Sequence, residues 1–194
     1  MSLETKAFGL RPRRTDATAG IQPARRHLVA AAYATALYAG DPVKLNAGYA
    51  EKATATDSGV LEGVIAQVAY IDTNTGRPIY GKVLPASTTS AGTLEGSTTA
   101  FIDVIPSTLG EFEILATSAG SLTQADVGKF FALTLGSADT TLNLSGVSLD
   151  ASSGASSQTN KVVQLMGLVQ EVNNNWGDST IKVRVRFMRT PINQ

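Results

Sequence analysis

The chain has 194 residues and a mass of 20.2 kDa, and its sixteen basic side chains are balanced by sixteen acidic ones. This length suits one compact domain, and a net charge of zero gives no global attraction to nucleic acid or to an anionic membrane. Cysteine is absent, which excludes disulfides and thiolate chemistry, and no stretch is apolar for long enough to predict a transmembrane helix. We therefore expect a soluble protein made in a reducing cytoplasm.

The charge is unevenly distributed along the chain. Residues 1–30 hold six Lys and Arg side chains against two acidic ones, a net of +4, and the rest of the chain carries ten basic and fourteen acidic groups, a net of −4. Residues 1–26 also lack apolar periodicity and contain Pro12, Gly20 and Pro23. These features predict an extended basic N-terminal arm over residues 1–26 and a β-rich body over residues 27–194. Deletion of residues 2–26 is then expected to leave the body folded.

After the arm, short apolar runs alternate with turn residues, as in β-sandwiches and small barrels. In chain order the predicted strands are the stretch from His27 to Tyr38, whose alanines also permit a helix, the hairpin Val43–Ala55, Val60–Ile71 with a bulge at Gly63, Ile79–Leu84, Phe101–Ile105, Glu111–Ala116 and Phe130–Leu135. The best helix candidate is Leu122–Val127, with Thr123 as N-cap and Gly128 as the stop. Residues 86–99 and 136–160 are rich in small polar residues and are predicted to be loops.

The clearest pattern lies in Val162–Met188. Ile181, Val183, Val185 and Phe187 alternate there with Lys182, Arg184 and Arg186, the period of two of a half-buried strand. The Asn-rich stretch before it supplies turn residues, so two arms of a hairpin are predicted. Together these patterns predict an all-β fold, a small β-sandwich or barrel-like body with one short helix and the extended N-terminal arm.

Catalytic and metal-binding patterns are weak. The one histidine, His27, has no accompanying nucleophile motif, and Glu111 and Glu113 most simply form the solvated side of a strand. The segment from Asp72 to Gly76 resembles the start of a calcium loop, but Val83 stands where the closing glutamate belongs, so a hairpin turn is favoured. We predict that the protein is not an enzyme and uses no metal or cofactor.

The basic side chains carry the main functional hypothesis. We predict a protein or subunit interface formed by Arg11, Arg13, Arg14, Arg25, Arg26, Arg184 and Arg186. Arginine also suits phosphate binding, but among aromatic residues only Phe8 lies near the arm arginines, so a protein partner is favoured over nucleic acid by about three to one.

The runs from Ala36 to Leu45, Tyr49 to Ala53 and Leu61 to Ala66 contain a Gly-Asp-x-Val strand, a short hairpin with alanines and a Gly-Val strand. In this order they resemble the head decoration, or capsid cement, proteins of tailed bacteriophages. The ending, with Gly167-Leu168-Val169, an Asn-rich turn and Val183-Arg184-Val185-Arg186, is similar to phage virion proteins.

This resemblance implies a β-rich body that assembles into a homo-oligomer, with a trimer favoured, and binds the major capsid protein on the outside of the shell. It implies a non-enzymatic virion protein, assembled in the host cytoplasm, that stabilises the expanded head. In such proteins a terminal arm commonly reaches onto the major capsid protein, and residues 1–26 suit that role.

Two other functions stay open. One is a different phage structural component, such as a head-fibre base, a connector or a tail protein. The other is a glycan-binding β-sandwich that uses Trp176 and the neighbouring asparagines, although a turn that anchors the indole in the core is the favoured interpretation of Trp176.

Overall fold

The computed structural model describes residues 6–13, 24–55, 60–72, 74–87 and 100–188. Strands make up 48% of it, and its helical residues lie in short 3-10 turns. In chain order the strands are β1 (Arg11–Pro12), β2 (Arg25–Val29), β3 (Leu37–Tyr38), β4 (Pro42–Asn46), β5 (Tyr49–Lys52), β6 (Leu61–Ile71), β7 (Pro78–Gly81), β8 (Val83–Leu84), β9 (Ala100–Pro106), β10 (Phe112–Thr117), β11 (Phe130–Phe131), β12 (Leu133–Leu135), β13 (Val147–Asp150), β14 (Val163–Leu168) and β15 (Thr180–Phe187). The 3-10 turns are Ser107–Leu109, Gln124–Asp126 and Ala151–Ser153. The predicted β-rich fold is confirmed.

Two large sheets form most of the described body, and β3 pairs with β8 in a third, two-stranded sheet. The C-terminal sheet has the order β11-β14-β15-β10-β13-β12, with β1 also paired to β10, and the barrel sheet has the order β2-β9-β6-β4-β5, with β7 paired to β6. The edge strands β2 and β5 of the barrel sheet lie close to each other, so this sheet is nearly closed. The predicted sandwich or barrel-like body is therefore present as a barrel-like sheet with a second sheet packed beside it.

The predicted C-terminal hairpin is confirmed by the antiparallel pairing of β14 with β15. Along β15 the residues alternate between fully buried and partly exposed, because successive strand side chains point to opposite faces. The register shifts between Leu165 and Gly167, which marks a bulge. Beyond the bulge, the Asn174 amide bonds to the backbone N–H and carbonyl of Lys182 at 2.9 Å each, and so acts as a short extra strand.

Strand β6 crosses the molecule and takes part in both cores. Its register against β4 shifts between Leu61 and Gly63, where the sequence predicts a bulge. A Cβ on Gly63 would lie 2.0 Å from the Ile105 carbonyl oxygen, so only glycine lets the backbones of β6 and β9 approach this closely.

The buried apolar side chains form two clusters. The larger lies against the inner face of the C-terminal sheet and includes Phe112, Phe131 and Val185, together with Leu61 and Val64 of β6. The smaller fills the barrel and includes Val43, Ile65, Val68, Ile102 and Val104. The outer face of the barrel sheet is thus covered by the C-terminal sheet at the end that carries Val64.

The N-terminal segment is packed into the body over its described residues. Phe8 and Leu10 are 2% and 1% exposed, and β1 pairs with Phe112 and Glu113 of β10. The body therefore starts before the boundary predicted at residue 26, and β2 already begins at Arg25. Local apolar periodicity misses such a segment because two buried residues separated by one glycine make no recognisable period.

Two further expectations need correction. Residues 122–127 form no α-helix; they hold the 3-10 turn Gln124–Asp126, whose N-terminus is capped as predicted by Thr123, with its backbone N–H donating to Asp126 at 2.8 Å. The predicted loop over residues 136–160 contains β13, which pairs in parallel with β10 and buries Val147 and Leu149. Its four residues are too few for an alternating pattern to stand out among serines and glycines.

Candidate functional site: interaction surfaces

Asp41 is the most buried charged residue in the described chain, with 0% exposure. Its carboxylate accepts hydrogen bonds from the Tyr38 backbone N–H at 2.9 Å and the Ser145 hydroxyl at 2.6 Å, and the Lys52 ammonium lies 3.0 Å away. These partners come from β3, from β5 and from the segment before β13. Asp41 therefore joins the barrel sheet to the chain that leads into the C-terminal sheet.

The backbone is equally tight at this junction. Gly9 and Gly40 both have positive φ, of 78° and 93°, and a Cβ on Gly9 would lie 2.6 Å from the Gly40 carbonyl oxygen. The Leu10 N–H donates to that same oxygen at 2.9 Å. The Gly-Asp-Pro turn, the N-terminal segment and Ser145 thus meet at one point, and these contacts hold the two parts of the body together.

Four of the charged residues considered in the sequence form one network on the outer face of the C-terminal sheet. Arg184 donates to Glu111 at 3.1 Å and lies opposite Glu113 in the register of β15 and β10. Arg13 lies 3.8 Å from Glu113, and its backbone N–H donates to the Glu111 carbonyl. The two glutamates are therefore paired with arginines, an arrangement of ion pairs rather than of free acids.

The other predicted arginines make contacts within the chain as well. Arg11 lies over the Phe8 ring at 3.8 Å, and the side chain of Arg186 donates to Gln164 at 2.8 Å. At the open end of the barrel, Arg25 and His27 approach the same carboxylate oxygen of Glu62, at 3.3 and 3.2 Å. Glu62 is buried, so the contact with the Arg25 guanidinium offsets the cost of burying its charge.

Arg26 lies in a different setting. Its guanidinium contacts Asp103 at 3.3 Å and lies 3.9 Å above the ring of Phe101. The ring of Tyr80 meets Phe101 edge to face at 6.5 Å between centroids, and Tyr80 is 60% exposed. Phe101 is thus buried, at 3% exposure, yet it belongs to neither core cluster.

The predicted interface residues are thus not brought together as one surface. Arg11, Arg13, Arg184 and Arg186 belong to the C-terminal sheet and its neighbouring segment, Arg25 and Arg26 belong to the barrel sheet, and Arg14 lies outside the described residues. The alternating charges of β15 and the glutamates of β10 could have predicted their mutual pairing had the two strands been placed side by side. The stacking of Arg26 and Tyr80 on Phe101 gives no such signal, because these three residues lie on three separate strands.

The candidate calcium loop has a structural role. Asp72 caps its own turn by accepting from the Thr75 hydroxyl at 2.6 Å and from two backbone N–H groups, which lowers the pKa of its carboxyl. The favoured hairpin turn is therefore what forms there. Within the described ranges no three His, Cys, Asp or Glu side chains lie close enough to hold a metal ion.

Trp176 is anchored in the way the sequence favours. Its indole packs against the larger core, and its N–H donates to Gln124 at 3.1 Å. Because its N–H is hydrogen-bonded and its ring packs against the core, Trp176 fixes the turn between β14 and β15.

No family model, no curated protein and no solved structure matches this chain. In the part of the chain that the structure describes, no helix is long and apolar enough to cross a membrane.

Proposed function

We propose that this chain is a structural virion protein without enzymatic activity, which binds the outside of a phage capsid and stabilises the expanded head. Its partner is the major capsid protein, and it acts as a homo-oligomer, a trimer on the basis of the resemblance. It is assembled in the host cytoplasm and resides on the virion surface.

The observation that carries this proposal is the position of the residues that resemble decoration proteins. Residues 36–45, 49–53 and 61–66 build consecutive strands of the barrel sheet, and their Gly-Asp-Pro turn holds the buried carboxylate of Asp41. The resemblance thus falls on residues that determine the architecture rather than on interchangeable surface positions.

The contacts with the shell are assigned to the exposed basic residues of β2. The side chains of Arg25 and Arg26 are 53% and 50% exposed, whereas those of Arg13 and Arg184 are 35% and 37% exposed. A ligand that binds the expanded shell better than its precursor stabilises it by mass action, and modest contacts suffice when many copies bind.

The test is co-sedimentation of the purified protein with phage heads that lack it, titrated to saturation. We expect a plateau at a large, symmetry-related number of copies per head, and weaker binding when Arg25 and Arg26 are both changed to Ser. A matched control is Arg186→Ser, an exposed arginine on the other sheet. Absence of binding would overturn the proposal, and a plateau at the few copies of a single ring would favour a connector or tail component.

A further inference from the structure

The buried carboxylate at the open end of the barrel has two basic neighbours that differ in their access to solvent. Arg25 Nη1 and His27 Nε2 lie 3.3 and 3.2 Å from the same oxygen, Oε1, of Glu62. The side chain of Arg25 is 53% exposed, whereas those of His27 and Glu62 are 17% and 8% exposed. A group outside the molecule can therefore reach Arg25, while His27 and Glu62 stay enclosed together.

Both basic side chains point into the barrel. Val29 belongs to the smaller core cluster, and Arg25, His27 and Val29 share one side of β2 because they are spaced two residues apart. The residues opposite Arg25 and His27 on β9 are Val104 and Ile102, which are apolar and buried in the same cluster.

Other charged side chains on the neighbouring strands are engaged elsewhere. They form the pairs Asp103 with Arg26, Lys52 with Asp41, and Glu51 with Asn46. Lys44 of β4 lies opposite Glu51 across their ladder, and Tyr49 of β5 is 43% exposed. The charge of Glu62 is thus balanced by the side chains of β2.

His27 is only partly used in this cluster. Its Nε2 atom is buried, and no hydrogen-bond partner among the described residues is aligned with it, although the Glu62 oxygen lies close. With Arg25 in place, a proton on His27 would add a second positive charge beside the first. Without Arg25, the same proton would supply the positive charge that a buried carboxylate needs. Withdrawal of Arg25 therefore favours the protonated form of His27.

We propose that His27 is a reserve partner for Glu62, which takes up a proton when Arg25 moves from Glu62 to an acidic group on another protein. The proton comes from solvent to the imidazole, and Glu62 stays ionised. The identity of that protein rests on the proposed function, which assigns Arg25 to the contact with the shell. Because linkage is reciprocal, attachment through Arg25 becomes tighter as the pH falls through the range in which histidine titrates, at about pH 6–7.

The test is an NMR titration of the free protein, whose imidazole signals belong to His27 because the chain has one histidine. We expect the midpoint of His27 in Arg25→Ser to lie about one pH unit above that of the wild type. Arg26→Ser is the matched control and should move the midpoint much less, since Arg26 is exposed on the same strand but pairs with Asp103. Adding Glu62→Gln to Arg25→Ser should abolish the rise.

Equal midpoints in the wild type and Arg25→Ser, or a rise that persists with Glu62→Gln, overturn the proposal. If circular dichroism shows that Arg25→Ser does not fold, Arg25→Gln, which keeps more of the aliphatic side chain, gives the same comparison.

Co-sedimentation with phage heads tests the consequence for attachment. The wild type should bind about threefold more tightly at about pH 6 than at about pH 7.5, and His27→Gln should remove most of this difference. Equal binding at both pH values overturns the coupling to attachment. Absence of binding at either pH overturns the proposed function instead, and the titration of the free protein still decides whether His27 is the reserve partner.

Discussion

On the outer face of the C-terminal sheet, charged side chains pair with one another within the chain, whereas on the outer face of the barrel sheet Leu28 and Tyr80 stay exposed beside the buried Phe101. Arg184 and Glu111 illustrate the first case at 3.1 Å, and Tyr80, at 60% exposure, illustrates the second. A charged face is thus not necessarily a binding face, because its charges can satisfy each other. Exposed apolar side chains cannot pair in this way, and they are removed from water only when another surface covers them.

The largest expected effect comes from removing the Asp41 carboxylate, whose contacts connect the two sheets. Asp41→Ala leaves the Lys52 ammonium, only 15% exposed, without its carboxylate and frees the Ser145 hydroxyl. We expect a loss of about 3–5 kcal/mol in the free energy of unfolding, measured by urea denaturation. Asp72→Ala, in an exposed turn, is the control and should cost far less. Similar losses of stability in the two variants would contradict the role of Asp41 in connecting the two sheets.

Leu10→Ala tests whether the N-terminal segment is part of the larger core cluster, which lies against the C-terminal sheet. Leu10 is 1% exposed and belongs to the larger cluster, so its truncation should cost about 2–5 kcal/mol in urea denaturation. Because deletion of residues 2–26 removes Leu10 from this cluster, we expect it to prevent stable folding. A truncated protein with an unchanged denaturation midpoint would show that the segment is dispensable.

Arg184→Ala separates the charged region from the apolar one. Its side chain is 37% exposed, so loss of the contact with Glu111 should cost only about 0.2–1 kcal/mol, and less at high salt. The solution molar mass should not change. A fall to monomer with an intact fold would move the interface to the C-terminal sheet.

Tyr80→Asp makes the opposite change. We expect the free energy of unfolding to stay within about 0.5 kcal/mol, measured at concentrations where the protein is monomeric, because Tyr80 is a surface residue. Association should be lost. A large drop in stability of the monomer would mean that Tyr80 mainly supports Phe101.

The smallest effect concerns an exposed ion pair. Lys6 donates to Asp139 at 2.6 Å, and this bond, followed by the Leu142 N–H, lowers the pKa of the Asp139 carboxyl. A lowered folded-state pKa gives stability above the ordinary value of an aspartate that is lost as the pH falls through the folded value. In an NMR titration Lys6→Ala should raise the pKa of Asp139, and an unchanged value would show that the backbone bonds suffice.

The sequence predicts those parts of the fold that have a local period. The alternation from Ile181 to Phe187 and the turn at Asn46–Gly48 predict both hairpins, since each pattern repeats within a few residues. The burial of Leu10 and the parallel pairing of β13 with β10 depend on contacts far apart in the chain. No pattern in a short segment reveals them.

The same limit applies to the candidate interface. Arginine content marks Arg13 and Arg184 as candidates, but it cannot show that Glu111 and Glu113 already pair with them. Leu28, Phe101, Ala69 and Tyr80 come from four strands, so they become neighbours only once those strands are in register.

The most direct test of the contrast is hydrogen–deuterium exchange at a low and a high protein concentration. The account predicts that amides of the edge strands β2 and β7, which carry Leu28 and Tyr80, exchange more slowly at high concentration. Those of β1, β10 and β15 should exchange equally at both. Concentration-dependent protection confined to β1, β10 and β15 would contradict the account and make the charged face the interface.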